Sequence, residues 1–380
     1  MGKNWGIIII FISITFVTVV VFQNRKLYTE KFDPVSFQNK YNQSQWVIPN
    51  SKHIISDEDL YTYAGYKYIN GLNPILINPE TPPLGKYLIG LSIVLFKNHR
   101  IISLISALLS LAIINHIVFL STNSFLTSSI AVFLTSINTL FIDQIIHTPQ
   151  LDIFQLLFFL LFIIFFLIFK MKNNIFFLLF AGFAMGFFIS TKFFLASFFI
   201  FNAWLLLNYL IGKTHLKKII FESALLNLIA LFTYSYTYIG YFILGGNLRS
   251  FLGVQKWIYL FYSNTSIEIS KLLGNYLSLI FFNQWKFWSE GYPFIHYKYW
   301  TIFWPVVFIV GSFSIYKLFT EKKAKEKKLL ILLAAFLIIY NLFLFVTPVY
   351  PRYLLLLFVP LNILIAIYIG KIIQTKLIHD

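Results

Sequence analysis

Residues 152–169 read DIFQLLFFLLFIIFFLIF, an apolar run with one charged side chain, Asp152, at its beginning. A run of this kind is close to the roughly 20 residues that an α-helix needs to cross a bilayer. Similar runs recur along nearly the whole chain, and we predict about ten spanning helices at residues 6–22, 101–120, 125–143, 152–169, 175–191, 193–211, 219–244, 301–318, 329–347 and 352–370. The expected fold class is therefore an all-α polytopic membrane protein, in which residues 1–380 form one transmembrane domain and no soluble domain follows the last helix.

The composition supports this class. Of the 380 residues, 58% are hydrophobic and 12% are charged, against about 25% charged residues in ordinary soluble domains. A net charge of +16 is also found in nucleic-acid-binding proteins, but here lysines cluster in the short gaps between apolar runs. That pattern is typical of cytoplasmic loops, so we expect a lipid bilayer and no nucleic acid as a partner. Because the chain has no cysteine, disulfides and thiolate chemistry are excluded.

The distribution of lysines also predicts the topology. The apolar run 84–96 is shorter than a span and suits a helix lying along the membrane surface. If it does not cross, nearly all clustered lysines fall inside together with both termini, as the positive-inside rule requires. Two long segments then lie outside, 23–100 and the aromatic-rich loop 245–300, so any chemistry faces outward. The absence of an inserted domain favours a prokaryotic plasma membrane.

Three consecutive carboxylates follow a serine in the first outer segment, Ser56-Asp57-Glu58-Asp59. Like charges held together raise the pKa of at least one group, which makes a candidate general base. The structural alternative is that Ser56 caps a helix whose first turn carries the acids. From the triplet alone this alternative is favoured, because acidic first turns are common.

Three basic residues are candidates for binding a phosphate: Lys86, Lys192 and Arg352. Lys86 follows two prolines and is expected at the depth of the lipid headgroups, where snorkelling is the alternative explanation. Arg352 is expected at the outer mouth of the last helix, and its guanidinium suits bidentate phosphate contact. Its alternative role is to anchor the helix at the interface beside neighbouring tyrosines.

Two further residues stand near a predicted outer turn. An ionisable group at the end of a membrane helix, such as Asp152, is a functional candidate, although it could equally cap the helix. His147 could bind a metal or carry a proton, but an isolated histidine more often does neither. No histidine pair at metal-ligand spacing and no cysteine cluster is present, so a dedicated metal site is not evident; a divalent cation is left open as a cofactor.

Taken in order, these motifs resemble those of protein O-mannosyltransferases. Asp57-Glu58-x-x-Tyr61 and Pro82-Pro83-Leu84-Gly85-Lys86-x-Leu88-Ile89-Gly90 are similar to the first outer loop of that family. Leu151-Asp152 resembles the acidic motif at the start of its fourth helix, and Pro351-Arg352-Tyr353 with Pro360 resembles its C-terminal helix. The wider superfamily has the GT-C membrane fold and includes the lipid A aminoarabinose transferases.

The resemblance implies a function. A hexosyl group, with mannose favoured, would move from a polyisoprenyl-phosphate sugar to a hydroxyl of a protein or lipid-glycan acceptor, with inversion, on the outer face of the membrane. Members of the family carry the Pro-Pro segment as a surface helix, which loop charge predicts independently. Two departures, His147 in place of an arginine and Thr81 in place of a histidine, leave the sugar and the acceptor open.

The resemblance also implies roles for individual residues. Asp57 would be the general base and Glu58 would orient it or the acceptor. Lys86 and Arg352, with Lys192 third, would stabilise the charge of the leaving phosphate. Contacts to the sugar, the acceptor or a cation are expected from four residues: Asp152, His147, Glu80 and Tyr61.

Two other classes of protein share some of these sequence features. A transporter or lipid-linked-sugar flippase would also be polytopic, but it predicts helices broken near mid-membrane and related halves. Largely unbroken apolar runs and charge concentrated in the outer segments favour an enzyme instead. A non-catalytic assembly subunit is the third alternative, and the presence of both Asp57 and Lys86 argues against it.

Overall fold

The structure is a computed structural model that describes residues 2–147, 149–263, 272–286, 293–320 and 326–379. Of the described residues, 77% are helical, and none of them forms a strand. A 3₁₀ turn, Pro351–Leu354, precedes the last helix. The helices are α1 (Gly2–Gln23), α2 (Arg25–Thr29), α3 (Pro34–Asn42), α4 (Asp57–Ile69), α5 (Leu84–Phe96), α6 (Ile101–Thr122), α7 (Phe125–Ser136), α8 (Thr139–Ile146), α9 (Leu151–Lys172), α10 (Ile175–Ile189), α11 (Phe194–Ile211), α12 (Leu216–Thr237), α13 (Ile239–Ile243), α14 (Leu248–Ser263), α15 (Asn275–Phe282), α16 (Phe303–Thr320), α17 (Lys327–Val346) and α18 (Leu355–His379).

Eight helices of the described chain are long and apolar enough to cross a bilayer, or nine if one bent pair counts as a single span. This confirms the all-α polytopic class, with a smaller count than the ten spans predicted. The eight are α1, α6, α9, α11, α12, α16, α17 and the segment formed by the 3₁₀ turn with α18.

The predicted span 125–143 is the bent pair. Helix α7 ends at Ser136, α8 begins at Thr139, and the two are inclined by 62°. Asn138 caps α8 with its side chain, which starts a new helix in a new direction because capping satisfies the first free backbone N–H groups. The break therefore carries the chain sideways instead of straight on.

Two other predicted spans also differ from the structure. Helix α10 has 15 residues, fewer than a full span requires, where residues 175–191 were expected to cross. The expected span 219–244 ends earlier, because α12 stops at Thr237 and the short α13 follows. The aromatic-rich segment 245–300 contains α14 and α15, and its residues 264–271 and 287–292 lie outside the described part of the chain.

Helix α9 lies at the centre of the bundle, with 78% of its spanning window buried. A helix that is apolar on all sides is expected inside the bundle. Aromatic rings lock it to its neighbours: Trp204 of α11 has its ring centre 5.5 Å from Phe159, 5.0 Å from Phe162 and 5.0 Å from Phe336 of α17. The indole N–H of Trp204 also donates to the Leu332 carbonyl at 2.7 Å.

Helix α5 has the predicted bounds, 84–96, and packs closely against α4. The crossing depends on two glycines, because a Cβ at Gly65 would collide with the carbonyl oxygen of Lys86, and one at Gly90 would collide with that of Gly65. This contact holds the first turn of α4, and the carboxylates it carries, in a fixed position relative to the start of α5.

Candidate active site

Five charged side chains meet where α4, α9 and α18 begin. Arg352, in the 3₁₀ turn, is their centre: its Nη2 lies 2.6 Å from Asp57 Oδ2 and its Nη1 lies 3.1 Å from Glu58 Oε1. Its Nε is 3.6 Å from Asp152 Oδ2. Lys192 completes the group through Asp152, with its Nζ 2.8 Å and 3.0 Å from the two carboxylate oxygens. We call these five residues the charged cluster.

Local structure explains how the two acids of α4 reach Arg352. Ser56 caps the helix, because its side chain accepts the backbone N–H of Asp59 at 3.2 Å. The capping predicted from the sequence is therefore confirmed, and it orients Asp57 and Glu58 from the first turn toward the arginine. The structural and functional interpretations of this triplet are compatible.

Asp152 occupies the first turn of α9 without capping it. Gln150 is the N-cap residue and makes no side-chain cap, so the capping alternative for Asp152 is wrong. The carboxylate instead binds Lys192 and approaches Arg352. With 5% of its side chain exposed, Asp152 depends on these two cations to remain charged in the interior.

Lys192 lies in the turn between α10 and α11 and is 2% exposed. The next residue, Phe193, has a φ of 48°, in the left-handed region, and the Lys192 carbonyl accepts a hydrogen bond from Ser197 Oγ at 2.9 Å. Burial lowers the pKa of Lys192 to about 8, and Asp152 opposes that shift. The ammonium therefore keeps its charge at neutral pH while it stays next to the carboxylate.

The charged cluster has three carboxylates and two cations. It also has a gradient of exposure, from the buried Asp152–Lys192 pair to Asp57, whose side chain is 47% exposed. Tyr61 lies one turn after Asp57 on α4 and is buried beneath it; burial raises its pKa well above 10, so its hydroxyl remains protonated. The carboxylate nearest to solvent is thus the one suited to exchange a proton.

An apolar groove of about 540 Å³ opens beside the buried end of the cluster. A narrow pocket lined by Asp152, Lys192, Phe193 and Tyr353 lies between the two, and Phe193 and Tyr353 line the groove as well. The groove therefore leads toward Lys192, the one cation among the residues that line the narrow pocket. Its other lining residues are Phe194, Leu195, Ala196, Ile258, Tyr259, Tyr262, Ser263, Phe343, Val346, Thr347, Pro348 and Tyr350.

A polar cavity of about 490 Å³ lies on the opposite side of Glu58. Glu58 joins it to the cluster, because one carboxylate oxygen accepts from Gln150 Nε2 at 2.9 Å and from Arg352. Sequence reasoning missed Gln150, since nothing in its neighbourhood marks a glutamine before a helix as functional. The other lining residues are Glu30, Lys31, Asp33, Ser36, Phe37, Lys40, Ser56, Asp59, His99, Arg100 and His147.

His147 faces this cavity and forms an ion pair with the buried Asp143. Its Nδ1 is 2.6 Å from Asp143 Oδ1, and its Nε2 is 3.4 Å from the hydroxyl of Tyr299. The hydrogen bond to Asp143 raises the pKa of His147, against the opposing effect of burial. Within the described ranges no three His, Asp or Glu side chains are grouped to hold a metal ion.

Lys86 and Glu80 lie outside the charged cluster. Lys86 is fully buried, and its Nζ donates to the carbonyl oxygens of Asn78 at 2.6 Å and Thr81 at 2.7 Å. The snorkelling alternative is therefore wrong, and in this structure the ammonium supports the loop before α5. Burial raises the pKa of Glu80 to about 7, although the nearby Lys86 opposes the shift.

Comparison with known proteins shows which family and which fold the chain resembles. A family model described as dolichyl-phosphate-mannose-protein mannosyltransferase matches residues 80–237, which confirms the resemblance inferred from the motifs. The matched range includes Asp152 and Lys192 but neither Asp57 nor Arg352. No curated protein has a sequence significantly similar to the chain.

Two solved structures of ArnT from Cupriavidus metallidurans share the fold. The one bound to undecaprenyl phosphate has a TM-score of 0.60 and 15% identity, covering 94% of this chain and 60% of ArnT. The apo structure has a TM-score of 0.53 and 14% identity, covering 94% of this chain and 59% of ArnT. The chain thus has an ArnT-like GT-C fold and spans about 60% of the length of that protein.

Proposed function

From this GT-C fold we propose a membrane glycosyltransferase that moves a hexosyl group, with mannose favoured, from a polyisoprenyl-phosphate sugar to a hydroxyl of a protein or lipid-glycan acceptor. One observation carries the proposal: the charged cluster lies between an apolar groove and a polar cavity. A lipid-linked donor and a hydrophilic acceptor need such a junction. We propose that this junction lies on the outer face of a prokaryotic plasma membrane; the clustering of lysines in the short loops supports the outer-face assignment.

The groove and the two cations match the two parts of the donor. A polyisoprenyl chain is apolar and fits among the aromatic and aliphatic side chains of the groove. Its phosphate would meet Lys192 through the narrow pocket, and Arg352 would be reached next, since both cations border Asp152. Arginine can contact a phosphate through two N–H groups at once, and ArnT, which shares the fold, has been solved with undecaprenyl phosphate bound.

The reaction breaks one bond and forms one. The acceptor oxygen bonds to the anomeric carbon as the bond from that carbon to the phosphate oxygen breaks, and the electron pair leaves with the phosphate. The proton of the acceptor hydroxyl goes to Asp57, because a hydroxyl attacks well only when a base removes its proton. Inversion follows, since attack and departure occur on opposite faces of the sugar.

The ion pairs suggest how the donor would activate the base. Arg352 holds Asp57 through a hydrogen bond of 2.6 Å. A donor phosphate that engages Arg352 competes for the same N–H groups. Asp57 would then be released from its partner at the stage when the acceptor hydroxyl needs a base.

Asp152 and Glu58 have supporting roles in this scheme. Asp152 binds Lys192 through both carboxylate oxygens and so fixes the ammonium before a donor arrives. A preset cation lowers the barrier more than one that must be reoriented. Glu58 accepts hydrogen bonds from both Gln150 and Arg352. It therefore connects the polar cavity, where the acceptor would bind, to the arginine that would contact the donor phosphate.

The break between α7 and α8 can be explained without assuming that the protein is a transporter. Transporter helices are often broken around a substrate site. Here the break redirects α8 so that His147, which pairs with Asp143, borders the polar cavity. An enzyme therefore accounts for the bend as well as for the charged cluster.

The test is sugar release or transfer from radiolabelled polyisoprenyl-phosphate mannose by the purified protein in lipid nanodiscs. We expect Asp57→Asn to lower the rate by about 10²- to 10⁴-fold, as for loss of a general base. The matched control is Glu326→Gln, because Glu326 pairs with Lys371 near the opposite ends of α17 and α18. If Asp57→Asn is as active as wild type, Asp57 is not the general base. If the wild-type protein is inactive on every lipid-phosphate sugar, the proposed glycosyltransferase function is refuted.

A further inference from the structure

His99 borders the polar cavity with both ring nitrogens unpaired. It precedes α6 and is 4% exposed, and neither Nδ1 nor Nε2 has a hydrogen-bond partner in the structure. Two aromatic rings hold the imidazole by their edges, with centres 6.0 Å away for Phe32 and 5.4 Å away for Phe37. A buried polar group without a partner is costly, so its retention beside a cavity points to a ligand.

The imidazole is neutral. Burial lowers the pKa of His99 to about 3, and the nearby charges of Arg100 and Lys40 add to the shift. A neutral imidazole offers one N–H donor and one nitrogen acceptor. The two nitrogens point in different directions, so one hydroxyl bonds to only one of them. A hydroxyl can serve either nitrogen, whereas a carboxylate only accepts and an ammonium only donates.

The charges of the cavity wall nearly balance. Four carboxylates and three basic side chains line it, and several are already paired, as in Lys40–Asp59 at 2.9 Å and Arg100–Glu30 at 3.5 Å. Such a wall selects neither a strongly acidic nor a strongly basic ligand. It presents many hydrogen-bonding groups to an uncharged polar one.

The size of the cavity completes the match. The volume of about 490 Å³ falls within the range of roughly 300–1,000 Å³ found for small-molecule sites. The apolar side chains suited to a lipid tail line the other opening, beyond Lys192.

We propose that this cavity is the acceptor site and that it takes an uncharged carbohydrate, so that the hydroxyl to be glycosylated belongs to a sugar and not to a peptide side chain. His99 recognises a hydroxyl of that sugar, while Glu58 borders the reacting end. The inference rests on the proposed function and narrows its acceptor. His99 acts in binding and takes no part in bond breaking.

The experiment offers three acceptors to the protein in nanodiscs with the radiolabelled donor: a soluble mannose oligosaccharide, a Ser/Thr-rich peptide, and no acceptor other than water. We expect saturable transfer to the oligosaccharide and none to the peptide. His99→Phe, which keeps a ring between Phe32 and Phe37, should raise the oligosaccharide KM about tenfold. Sugar release to water and the melting temperature should be unchanged.

Two further variants separate recognition from structure. His99→Gln keeps a donor and an acceptor and should hold the KM within about threefold of wild type. His53→Phe changes an exposed histidine of the same segment and should have no effect. If His99→Phe loses sugar transfer and sugar release to water equally, His99 does not recognise the acceptor. If wild type transfers sugar to the peptide alone, the acceptor is not a carbohydrate. A protein that consumes no donor contradicts the proposed function instead.

Discussion

Replacing Arg352 by glutamine would remove the guanidinium that joins both acids of α4 to Asp152. Three carboxylates would then face a single ammonium, that of Lys192. Loss of one partner of a buried ion pair costs about 3–5 kcal/mol. The Asp57 side chain is 47% exposed, so water screens part of this effect and we expect a stability loss nearer to 2 kcal/mol.

The effect on catalysis should exceed the effect on folding. One missing donor at a site of developing negative charge typically lowers kcat by about 10²–10³-fold, or roughly 2.7–4 kcal/mol. Arg352→Lys keeps the charge but loses the fork of two N–H groups, so its rate should fall by about tenfold. A turnover rate that decreases from wild type to Arg352→Lys and again to Arg352→Gln is the signature of a phosphate contact.

The assay combines donor turnover in nanodiscs with thermal unfolding of the same samples. A double-mutant cycle with Asp57→Asn measures the coupling, and we expect the two losses to be strongly non-additive because the residues share a hydrogen bond. If Arg352→Gln is folded and turns over within about threefold of wild type, the charged cluster has no role in stabilising a leaving group.

Three more predictions concern other parts of the molecule. Gly65→Ala should push α4 away from α5, destabilise the protein by about 1–3 kcal/mol in thermal unfolding and lower turnover, because the new Cβ meets the Lys86 carbonyl; unchanged unfolding would contradict the close crossing. Lys86→Met should lower the melting temperature while leaving the donor KM unchanged, since the ammonium binds backbone carbonyls; a raised KM in a stable variant would restore Lys86 to the phosphate site. The pKa of His147 is raised in the folded protein. Its ion pair with Asp143 therefore stabilises the fold fully when the pH is below 6.5, the ordinary pKa of histidine. This stabilisation disappears as the pH rises through the higher pKa that His147 has in the folded state. The gain in melting temperature between pH about 9 and about 6 should therefore be smaller in Asp143→Asn than in wild type, and equal gains would exclude this pair.

Much of the fold follows from local sequence signals. Apolar runs of sufficient length predict spanning helices, and α5 has the bounds 84–96 that its short run indicates. The cap at Ser56 is equally local, because capping depends on residues three positions apart. Signals of this kind need no knowledge of the rest of the chain.

The two errors have different origins. The bend between α7 and α8 depends on the Asn138 cap, a local signal that an averaged apolar pattern across 125–143 conceals. Whether Lys86 snorkels or is enclosed depends on how the loop around Asn78 folds over it, and nothing within a few positions of Lys86 in the sequence distinguishes these outcomes.

The site lies between these two cases. Four ionisable groups stand out in the sequence because they lie near helix ends: Asp57, Asp152, Lys192 and Arg352. Their spacing in the sequence does not predict that they contact one another. His99 carried no signal, since a single histidine before a helix usually has no function. Its importance comes from two unpaired nitrogens beside a cavity, which only coordinates reveal.

The long separation between Asp57 and Arg352, 295 residues along the chain, has a consequence for biosynthesis. At roughly 5–20 residues per second, a ribosome needs about 15–60 s to proceed from the first of these codons to the second. During that interval the acids of α4 are already outside the ribosome and have no arginine to neutralise them. The ionic junction therefore cannot form until synthesis has passed residue 352, and a nascent chain halted before α18 would leave the carboxylates of α4 without their arginine.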